Sequence, residues 1–251
     1  MSAEIIVLLV LGIAFGGGFF LLGRRINGLR DAIEHATKEN RGLADNVIRQ
    51  IEALDIVRRE LDLSGGLPLS RGWAASPDLL LEITRYARNH PPQTMLECGA
   101  GLSTVVLAAI ARKNGTGHVY SLENDPAYAA QVRRDLSRVG LDAWASVIDA
   151  PLDKFAIGDQ SWRWYTTATL PNAIDLLLVD GPPGGLAELA RYPAGPLLFP
   201  RLSATGIVFC DDSRRTDEQA VIRRWLSEFP NLMAEYLDCE KGCAVLRREA
   251  A

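Results

Sequence analysis

Acidic residues and closely spaced glycines follow a short apolar segment in the middle of the chain. Residues 95–104 read Met-Leu-Glu-Cys-Gly-Ala-Gly-Leu-Ser-Thr, which is typical of a strand, a glycine turn and the start of a helix. Gly99 and Gly101 allow the backbone to approach a ligand closely. Ser103 or Thr104 can cap the helix, whose free amides face that ligand. The pattern predicts the first unit of a nucleotide-binding α/β fold.

A second acid lies where a ribose-binding carboxylate is expected. Glu123 closes the next predicted strand, about 20 residues beyond Gly101. A dinucleotide fingerprint requires a third glycine at the position of Thr104 and places no acid at position 97. S-adenosylmethionine (SAM) has a cationic sulfonium and an amino group but no pyrophosphate. Glu97 therefore favours SAM over a nicotinamide dinucleotide as the cofactor.

The chain resembles the class I SAM-dependent methyltransferases, and more narrowly the bacterial family labelled methyltransferase 24. The segments that carry this resemblance lie in the expected order, at residues 72–77, 96–104, 121–126, 174–184, 190–193 and 211–212. The glycine turn, Glu123, the run Val-Asp-Gly-Pro-Pro-Gly and the Asp-Asp pair are together more specific than the turn alone. The resemblance implies methyl transfer to oxygen and does not name the acceptor.

The resemblance also implies which residues hold SAM. Glu97 and the turn that follows it would hold the methionine end, Glu123 the ribose hydroxyls, and Asp149 with its neighbour the rim of the adenine. Any of these acids could instead cap a helix or turn. The predicted cofactor-binding residues are Glu97, Gly99, Ala100, Gly101, Ser103, Glu123, Asn124, Asp149, Ala150 and Asp180.

Three further acids, Asp180, Asp211 and Asp212, follow the fourth and fifth predicted strands. Ligands of open α/β sheets lie beyond the carboxyl ends of the strands, where neighbouring carboxylates can converge on Mg²⁺. The trio resembles the Mg²⁺ site of catechol-type O-methyltransferases, although Asp212 replaces an Asn and no lysine follows Asp180. Three alternatives stay open: a Mg²⁺ site formed by all three acids, a metal-free site with Asp180 or Asp211 as general base, and purely structural acids.

Apolar segments predict the strands of a mostly parallel sheet, at residues 94–98, 118–122, 145–148, 174–179 and 206–210. The run at 174–179 is apolar without alternation, as expected in a sheet covered on both faces. A final hairpin, 233–239 and 243–247, predicts an antiparallel edge. The predicted fold is α/β, a Rossmann-like, doubly wound and mostly parallel sheet with a C-terminal antiparallel hairpin, preceded by a transmembrane helix and a helical stalk.

The N-terminal 23 residues predict a single-pass anchor. Residues 5–22 carry no charge and are just long enough to span a bilayer as a helix. Glu4 precedes the run and Arg24 and Arg25 follow it, the reverse of a signal peptide's charge order. By the positive-inside rule, the catalytic domain lies in the cytoplasm at the inner (cytoplasmic) membrane. The alternative is a helix buried in the protein.

Residues 24–63 predict a helical stalk. Apolar residues fall on two heptad positions, Ile26, Ile33, Val47, Leu54 and Leu61 on one and Leu29, Leu43 and Val57 on the other. Asn40 on the first position favours a parallel coiled-coil homodimer, whereas Gly28 and Gly42 weaken the helix. An amphipathic helix packed on its own domain is the alternative. The segment 64–68 ends the helix, so the methyltransferase domain is expected over 64–251.

The net charge and the cysteine spacing argue against nucleic-acid binding and against a cysteine metal site. The 251 residues carry a net charge of −4, which gives no electrostatic reason to expect nucleic acid. The four cysteines lack a metal-binding spacing and are expected to be buried or hairpin thiols.

The aromatic segment 161–165 could face an acceptor or pack as core or lid, and Arg214 and Arg215 could meet an anionic acceptor.

The sequence thus predicts a membrane-tethered SAM-dependent methyltransferase that O-methylates a small-molecule, sugar or lipid-linked acceptor. Two alternatives are a catalytically silent, membrane-anchored interaction module and, less favoured, a nicotinamide oxidoreductase.

Overall fold

The computed structural model describes residues 2–63, 66–70, 72–166 and 170–249, apart from the side chains at positions 9, 10, 13 and 14. The chain divides into two units, residues 1–49 and 50–251. The helices are α1 Ala3–Glu60, α2 Pro77–Asn89, α3 Leu102–Asn114, α4 Pro126–Arg138, α5 Ala194–Leu198 and α6 Thr216–Glu228. The strands are β1 Thr94–Cys98, β2 His118–Glu123, β3 Ala145–Asp149, β4 Leu152–Ile157, β5 Gln160–Tyr165, β6 Ile174–Val179, β7 Leu202–Asp211, β8 Leu232–Leu237 and β9 Cys243–Arg248.

The second unit is built on a seven-stranded sheet with the strand order β3-β2-β1-β6-β7-β9-β8. The first five strands in this order are parallel, whereas β9 pairs antiparallel with both β7 and β8. The strand order reverses between β1 and β6, which is the point where an open α/β sheet binds its ligand. The predicted doubly wound sheet with a C-terminal antiparallel pair is confirmed.

Helices cover the sheet on both faces, because successive strand residues point to opposite sides. On one face, Met95 and Leu178 pack with the apolar sides of α2 and α3. On the other face, Leu96 and Leu177 join a second core that contains Trp225 of α6. Burial on both sides explains why β6 shows no polar alternation in its sequence.

A separate two-stranded antiparallel sheet, β4 with β5, is inserted between β3 and β6. The sequence did not predict this hairpin, because Asp153 and Lys154 interrupt the apolar residues of β4 and no residue of β4 is buried. The aromatic segment 161–165 lies on β5, where Trp164 and Tyr165 are buried in the core and Trp162 contacts Tyr192. Within the segment, Trp164 and Tyr165 are therefore core residues, and Tyr165 also lines the cavity of the candidate site.

Helix α1 is continuous through the segments predicted as anchor and stalk. In the first unit its large apolar side chains are exposed, including Phe15, Phe19 and Phe20. Among the residues that the structure describes, no helix is both long and apolar enough to cross a membrane. The predicted transmembrane helix over 5–22 is therefore not supported, and the side chains at four of its positions lie outside the described residues.

The end of α1 belongs to the second unit. Val57 and Leu61 are buried in the core beside α2 and α3. Gln50 is also buried, and its amide donates to Asp78 Oδ2 over 2.8 Å. This part of the predicted stalk packs on its own domain, because the same apolar period serves either a coiled-coil partner or a domain face. The heptad residues between Ile26 and Val47 are exposed.

The helix ends at Glu60, close to the predicted break, although Ser64 and Gly65 lie outside the described residues. All four cysteines are free and buried, as predicted.

Candidate active site

A cavity of about 310 Å³ opens beyond the carboxyl ends of β1, β2 and β6. Four loops contribute to its wall, with residues from 72–75, 99–103, 123–128 and 180–183. The side chains that complete the wall are Tyr165, Arg191, Asp212, Arg215 and Lys241. The cavity therefore lies where the strand order reverses, at the position that the sequence predicts for a ligand.

The glycine turn, residues 99–101, lines the cavity. Gly99 has a φ of +91°, in the left-handed region that favours glycine, and a Cβ there would lie 3.5 Å from the amide nitrogen of Gly181. A Cβ on Gly101 would meet the hydroxyl of Tyr128 at 3.4 Å, an ordinary contact. The Gly101 amide donates to Thr104 Oγ1 over 2.9 Å and so fixes the first turn of α3.

Glu123 is held at the cavity wall by two backbone amides. Its Oε2 accepts from the amide of Ala100 at 3.1 Å, and its Oε1 accepts from the amide of Asp125 at 2.8 Å. A carboxylate has about four acceptor positions, so both oxygens can accept a further hydrogen bond. Glu123 and the adjacent Asn124 thus present acceptors that suit the paired hydroxyls of a ribose.

Glu97 lies behind the glycine turn and does not line the cavity. The side chain is fully buried, and its Oε2 accepts from Thr104 Oγ1 at 2.6 Å and from Ser121 Oγ at 2.7 Å. Its Oε1 has no hydrogen-bond partner among the described residues. Burial raises the pKa of Glu97 to about 7, against the opposing effect of hydrogen bonds from the neighbouring hydroxyls. Glu97 thus holds Thr104, whose hydroxyl oxygen in turn accepts from the Gly101 amide of the glycine turn. The contact of Glu97 with SAM stays a prediction.

Asp149 and Ala150 also lie away from the cavity wall. Asp149 is exposed and its carboxylate forms an ion pair with Arg133 at 2.9 Å. Ala150 is buried in the core. The predicted contact of these two residues with the adenine stays a prediction, whereas Ala100 and Ser103 of the cofactor set do line the cavity.

The three acids at the ends of β6 and β7 converge, since one carboxylate oxygen from each lies within 4.8 Å of the others. Asp180 and Asp212 line the cavity. Asp211 is fully buried, and its Oδ1 accepts from the amide of Asp212 at 2.7 Å. Burial and the neighbouring Asp212 raise the pKa of Asp211 to about 6. Burial and Asp211 likewise raise the pKa of Asp180 well above its ordinary value, against the attraction of Arg191.

A buried guanidinium lies among these acids. Arg191 Nη2 donates to Asp212 Oδ2 at 2.8 Å and to Asp180 Oδ1 at 3.3 Å. The same nitrogen donates to the backbone carbonyl of Asp180, and Nη1 donates to that of Asp211, both at 2.9 Å. Burial alone would lower the pKa of Arg191, but the surrounding acids raise it. Arg191 therefore offsets part of the negative charge of the cluster and joins the ends of β6 and β7 by hydrogen bonds.

Mg²⁺, which the resemblance to catechol-type enzymes implies, does not fit this arrangement. Arg191 holds one oxygen of Asp180 and one of Asp212, and Arg215 Nη1 binds the same Asp212 oxygen at 2.8 Å. An ion bound to these oxygens would lie about 4 Å from a positive charge, and the repulsion would be about 8 kcal/mol at an effective dielectric constant of about 20. Asp180 and Asp212 are thus already paired with arginine side chains.

Arg191 and Lys241 of the cavity wall were not predicted as functional residues, and for Tyr165 a contact with the acceptor was one of two alternatives. Arg191 lies in a segment that carried the resemblance, but nothing in its spacing indicated which residues it pairs with. Tyr165 was hidden in the aromatic segment of β5. No sequence pattern around Lys241 indicated a functional residue. Lys241 lies in the turn between β8 and β9, and its Nζ donates to the carbonyls of Gly72 at 3.2 Å and Ala74 at 2.8 Å.

The Tyr165 hydroxyl is a polar group in the cavity wall that is suited to contact a ligand. The side chain is buried, and within the described parts of the chain its hydroxyl has no hydrogen-bond partner. Tyr165 lines the cavity beside Asp180, and burial raises its pKa well above the ordinary value. A buried hydroxyl without a partner is unfavourable, so this group is suited to bind a polar atom of a ligand.

Comparison with known proteins agrees with this geometry. A family model described as a methyltransferase domain matches residues 96–213. A curated relative, protein-L-isoaspartate O-methyltransferase from Hyperthermus butylicus, is 29% identical over 142 residues, which are 53% of this chain and 55% of the relative. The chain thus spans about half the length of the curated relative that it matches.

Solved structures show the same fold. The methyltransferase PaMTH1 from Podospora anserina, bound to SAH, has a TM-score of 0.57 and 19% identity, and the alignment covers 84% of this chain and 97% of that one. The O-methyltransferase TomG from Streptomyces achromogenes, in complex with SAM, has a TM-score of 0.54 and 15% identity over 82% of this chain and 96% of that one. Together with the strand order, these findings show that the chain has the fold of these two methyltransferases and that its residues 96–213 match a methyltransferase domain.

Proposed function

We propose that this chain transfers a methyl group from SAM to an oxygen atom of its acceptor. The observation that carries the proposal is one cavity whose wall contains both Glu123, with its free acceptor positions, and Asp180. The hydroxyl of Tyr165, which has no hydrogen-bond partner in the described part of the chain, lies in the same wall. The O-methyltransferases among the structural relatives support oxygen as the methyl acceptor atom. Small-molecule, sugar and lipid-linked hydroxyls all remain candidate acceptors.

Asp180 is the best candidate for the general base. Asp212 gives one oxygen to two guanidinium groups, of Arg191 and Arg215, and is therefore largely neutralised. Asp211 is fully buried and does not line the cavity. Asp180 lines the cavity and makes a longer, weaker contact with Arg191. It can accept the acceptor's hydroxyl proton while that oxygen attacks the methyl carbon and the sulfonium leaves as a thioether.

The test combines cofactor binding with turnover. Purified full-length protein and methyl-labelled SAM would be incubated with fractionated envelope extract, and the labelled product would be identified. Asp180→Asn should bind SAM but transfer no label, whereas Asp153→Asn on the exposed strand β4 should behave as the wild type. Wild-type protein that binds no SAM would support the alternative, a silent interaction module.

We also propose that the N-terminal segment keeps the enzyme at the inner membrane, with the catalytic domain in the cytoplasm. The support is the exposed apolar side chains of α1, among them Phe15, Phe19 and Phe20, at 68%, 74% and 67% exposure. Such a location would place the enzyme near a lipid-linked acceptor. Cell fractionation tests it: the full chain should sediment with membranes, and replacing these three residues by serine should release it. A wild-type chain in the soluble fraction would contradict the proposal.

Homodimerisation through α1 is a further proposal, supported by the exposed heptad residues between Ile26 and Val47. Two paired helices would bury these apolar side chains. Sedimentation of the full chain should give a dimer, and a monomer at high concentration would contradict the proposal.

A further inference from the structure

We propose that Arg191 takes the place of a catalytic metal ion, so that this methyltransferase needs no divalent cation. The inference rests on the proposed function only for its meaning in catalysis, because the effect of Arg191 on metal binding can be measured without SAM or an acceptor. It identifies Arg191 as a positioning residue: Arg191 acts through Asp180, the residue proposed to accept the proton.

The geometry matches what a metal ion would do. A metal at this edge would bridge the ends of β6 and β7 through one oxygen from each side. Arg191 Nη2 makes this bridge, with 3.3 Å to Asp180 Oδ1 and 2.8 Å to Asp212 Oδ2. Its two bonds to the backbone carbonyls of Asp180 and Asp211 hold the strand ends as well. A planar guanidinium suits this task because its donors point in several fixed directions.

Two arginines, Arg191 and Arg215, pair with three of the four acids around Arg191. A fourth acid, Glu218 of α6, is buried with its Oε1 at 3.7 Å from Arg191 Nε. Arg215 adds a second guanidinium, 2.8 Å from Asp212 and 3.8 Å from Glu218. A buried carboxylate is stable only when it is paired or protonated, and the two arginines supply the pairing. A divalent ion would have to displace Arg191 from buried partners before it could bind.

The consequence for catalysis concerns orientation. Arg191 fixes one oxygen of Asp180 and so determines how its carboxylate faces the cavity. A bound metal ion would also attract the acceptor hydroxyl. Here the polar groups beside Arg191 in the cavity wall include Asp180 and the hydroxyl of Tyr165, which has no hydrogen-bond partner among the described residues. The acceptor is therefore oriented by hydrogen bonds in this chain.

Manganese binding tests the inference directly. Mn²⁺ would be titrated into the metal-free full-length chain and followed by electron paramagnetic resonance. The wild type should bind no ion tighter than millimolar. Arg191→Gln removes the charge and leaves three converging carboxylates, so it should bind Mn²⁺ at least tenfold more tightly, and the added change Asp212→Asn should abolish that gain. Arg163→Gln, on the exposed side of β5, is the matched control and should resemble the wild type.

Two results would overturn the inference. The first is wild-type binding of one Mn²⁺ ion that is lost in Asp212→Asn, and this arm decides the question even if Arg191→Gln does not fold. The second is a folded Arg191→Gln chain that binds Mn²⁺ no better than the wild type. SAM titration of the same wild-type sample keeps the two proposals apart: failure to bind SAM contradicts the proposed function, whereas Mn²⁺ binding contradicts only the role of Arg191.

Discussion

The buried carboxyl of Glu97 should make the domain less stable as the pH rises towards neutrality. Its pKa is raised from an ordinary 4.5 to about 7, because burial disfavours the charged form. Below pH 4.5 the carboxyl is protonated in both the folded and the unfolded chain. Between the two values the unfolded chain loses its proton first, so stability falls through this window and levels off above about pH 7.

The size of the effect follows from the shift. A change from 4.5 to about 7 is 2.5 pKa units. At 1.36 kcal/mol per unit this corresponds to roughly 3 kcal/mol over the whole window, of which about 2 kcal/mol falls between pH 5 and 7.5. Glu97→Gln cannot ionise, so it should remove this part of the pH dependence, even if the buried amide lowers stability by a constant amount at every pH.

Urea unfolding followed by tryptophan fluorescence would measure the difference, since Trp164 and Trp225 are buried. The free energy of unfolding of Glu97→Gln relative to the wild type should rise by about 2 kcal/mol from pH 5 to pH 7.5. Glu52→Gln, at an exposed position of α1, is the control and should follow the wild-type curve. If the unfolding free energies of Glu97→Gln and the wild type follow parallel curves against pH, the reasoning is refuted. The pKa of Glu97 would then be the same in the folded and the unfolded chain.

Three further substitutions test other parts of the account. Gly101→Val should abolish SAM binding in calorimetry while the chain still folds, because the new side chain enters the cavity; unchanged affinity would contradict the turn's role. Tyr165→Phe should leave the unfolding free energy unchanged or slightly higher, since the hydroxyl has no described partner, yet weaken ligand binding; a marked loss of stability would reveal an internal partner. Leu61→Ala should cost about 2–5 kcal/mol of unfolding free energy, whereas Leu43→Ala, at an exposed position, should stay within about 0.5 kcal/mol in the monomer.

The sheet was predictable because its strands are apolar on both faces and each ends in a turn or an acid. The segments 94–98 and 174–179 were predicted with the observed bounds. The inserted hairpin of β4 and β5 was not predicted, because polar residues interrupt the apolar residues of both strands. The stalk shows a second limit: heptad spacing reveals one apolar helix face and does not identify what covers it, and Val57 and Leu61 pack on the domain itself.

The candidate site was predictable where it depends on local sequence. The glycine turn, Glu123 and the convergence of Asp180 with Asp212 all follow from residues at strand ends, which parallel strands bring to one edge. Arg191, Tyr165 and Lys241 come from distant loops and strands, and their approach depends on packing that no spacing reveals. The acidic trio therefore left a metal site, a general base and structural acids open as alternatives, and the fold places a guanidinium among these acids.

Calorimetric titration of SAM into the full-length wild-type chain and into Glu123→Ala tests the central claim most directly. The account predicts saturable binding of one SAM molecule by the wild type, weakened in Glu123→Ala by about 1–3 kcal/mol, or roughly 5- to 150-fold in the dissociation constant, since a charged acceptor of ribose hydroxyls is lost. Absence of SAM binding by the wild type, or equal affinities of the two proteins, would contradict the assignment of this cavity as the cofactor site.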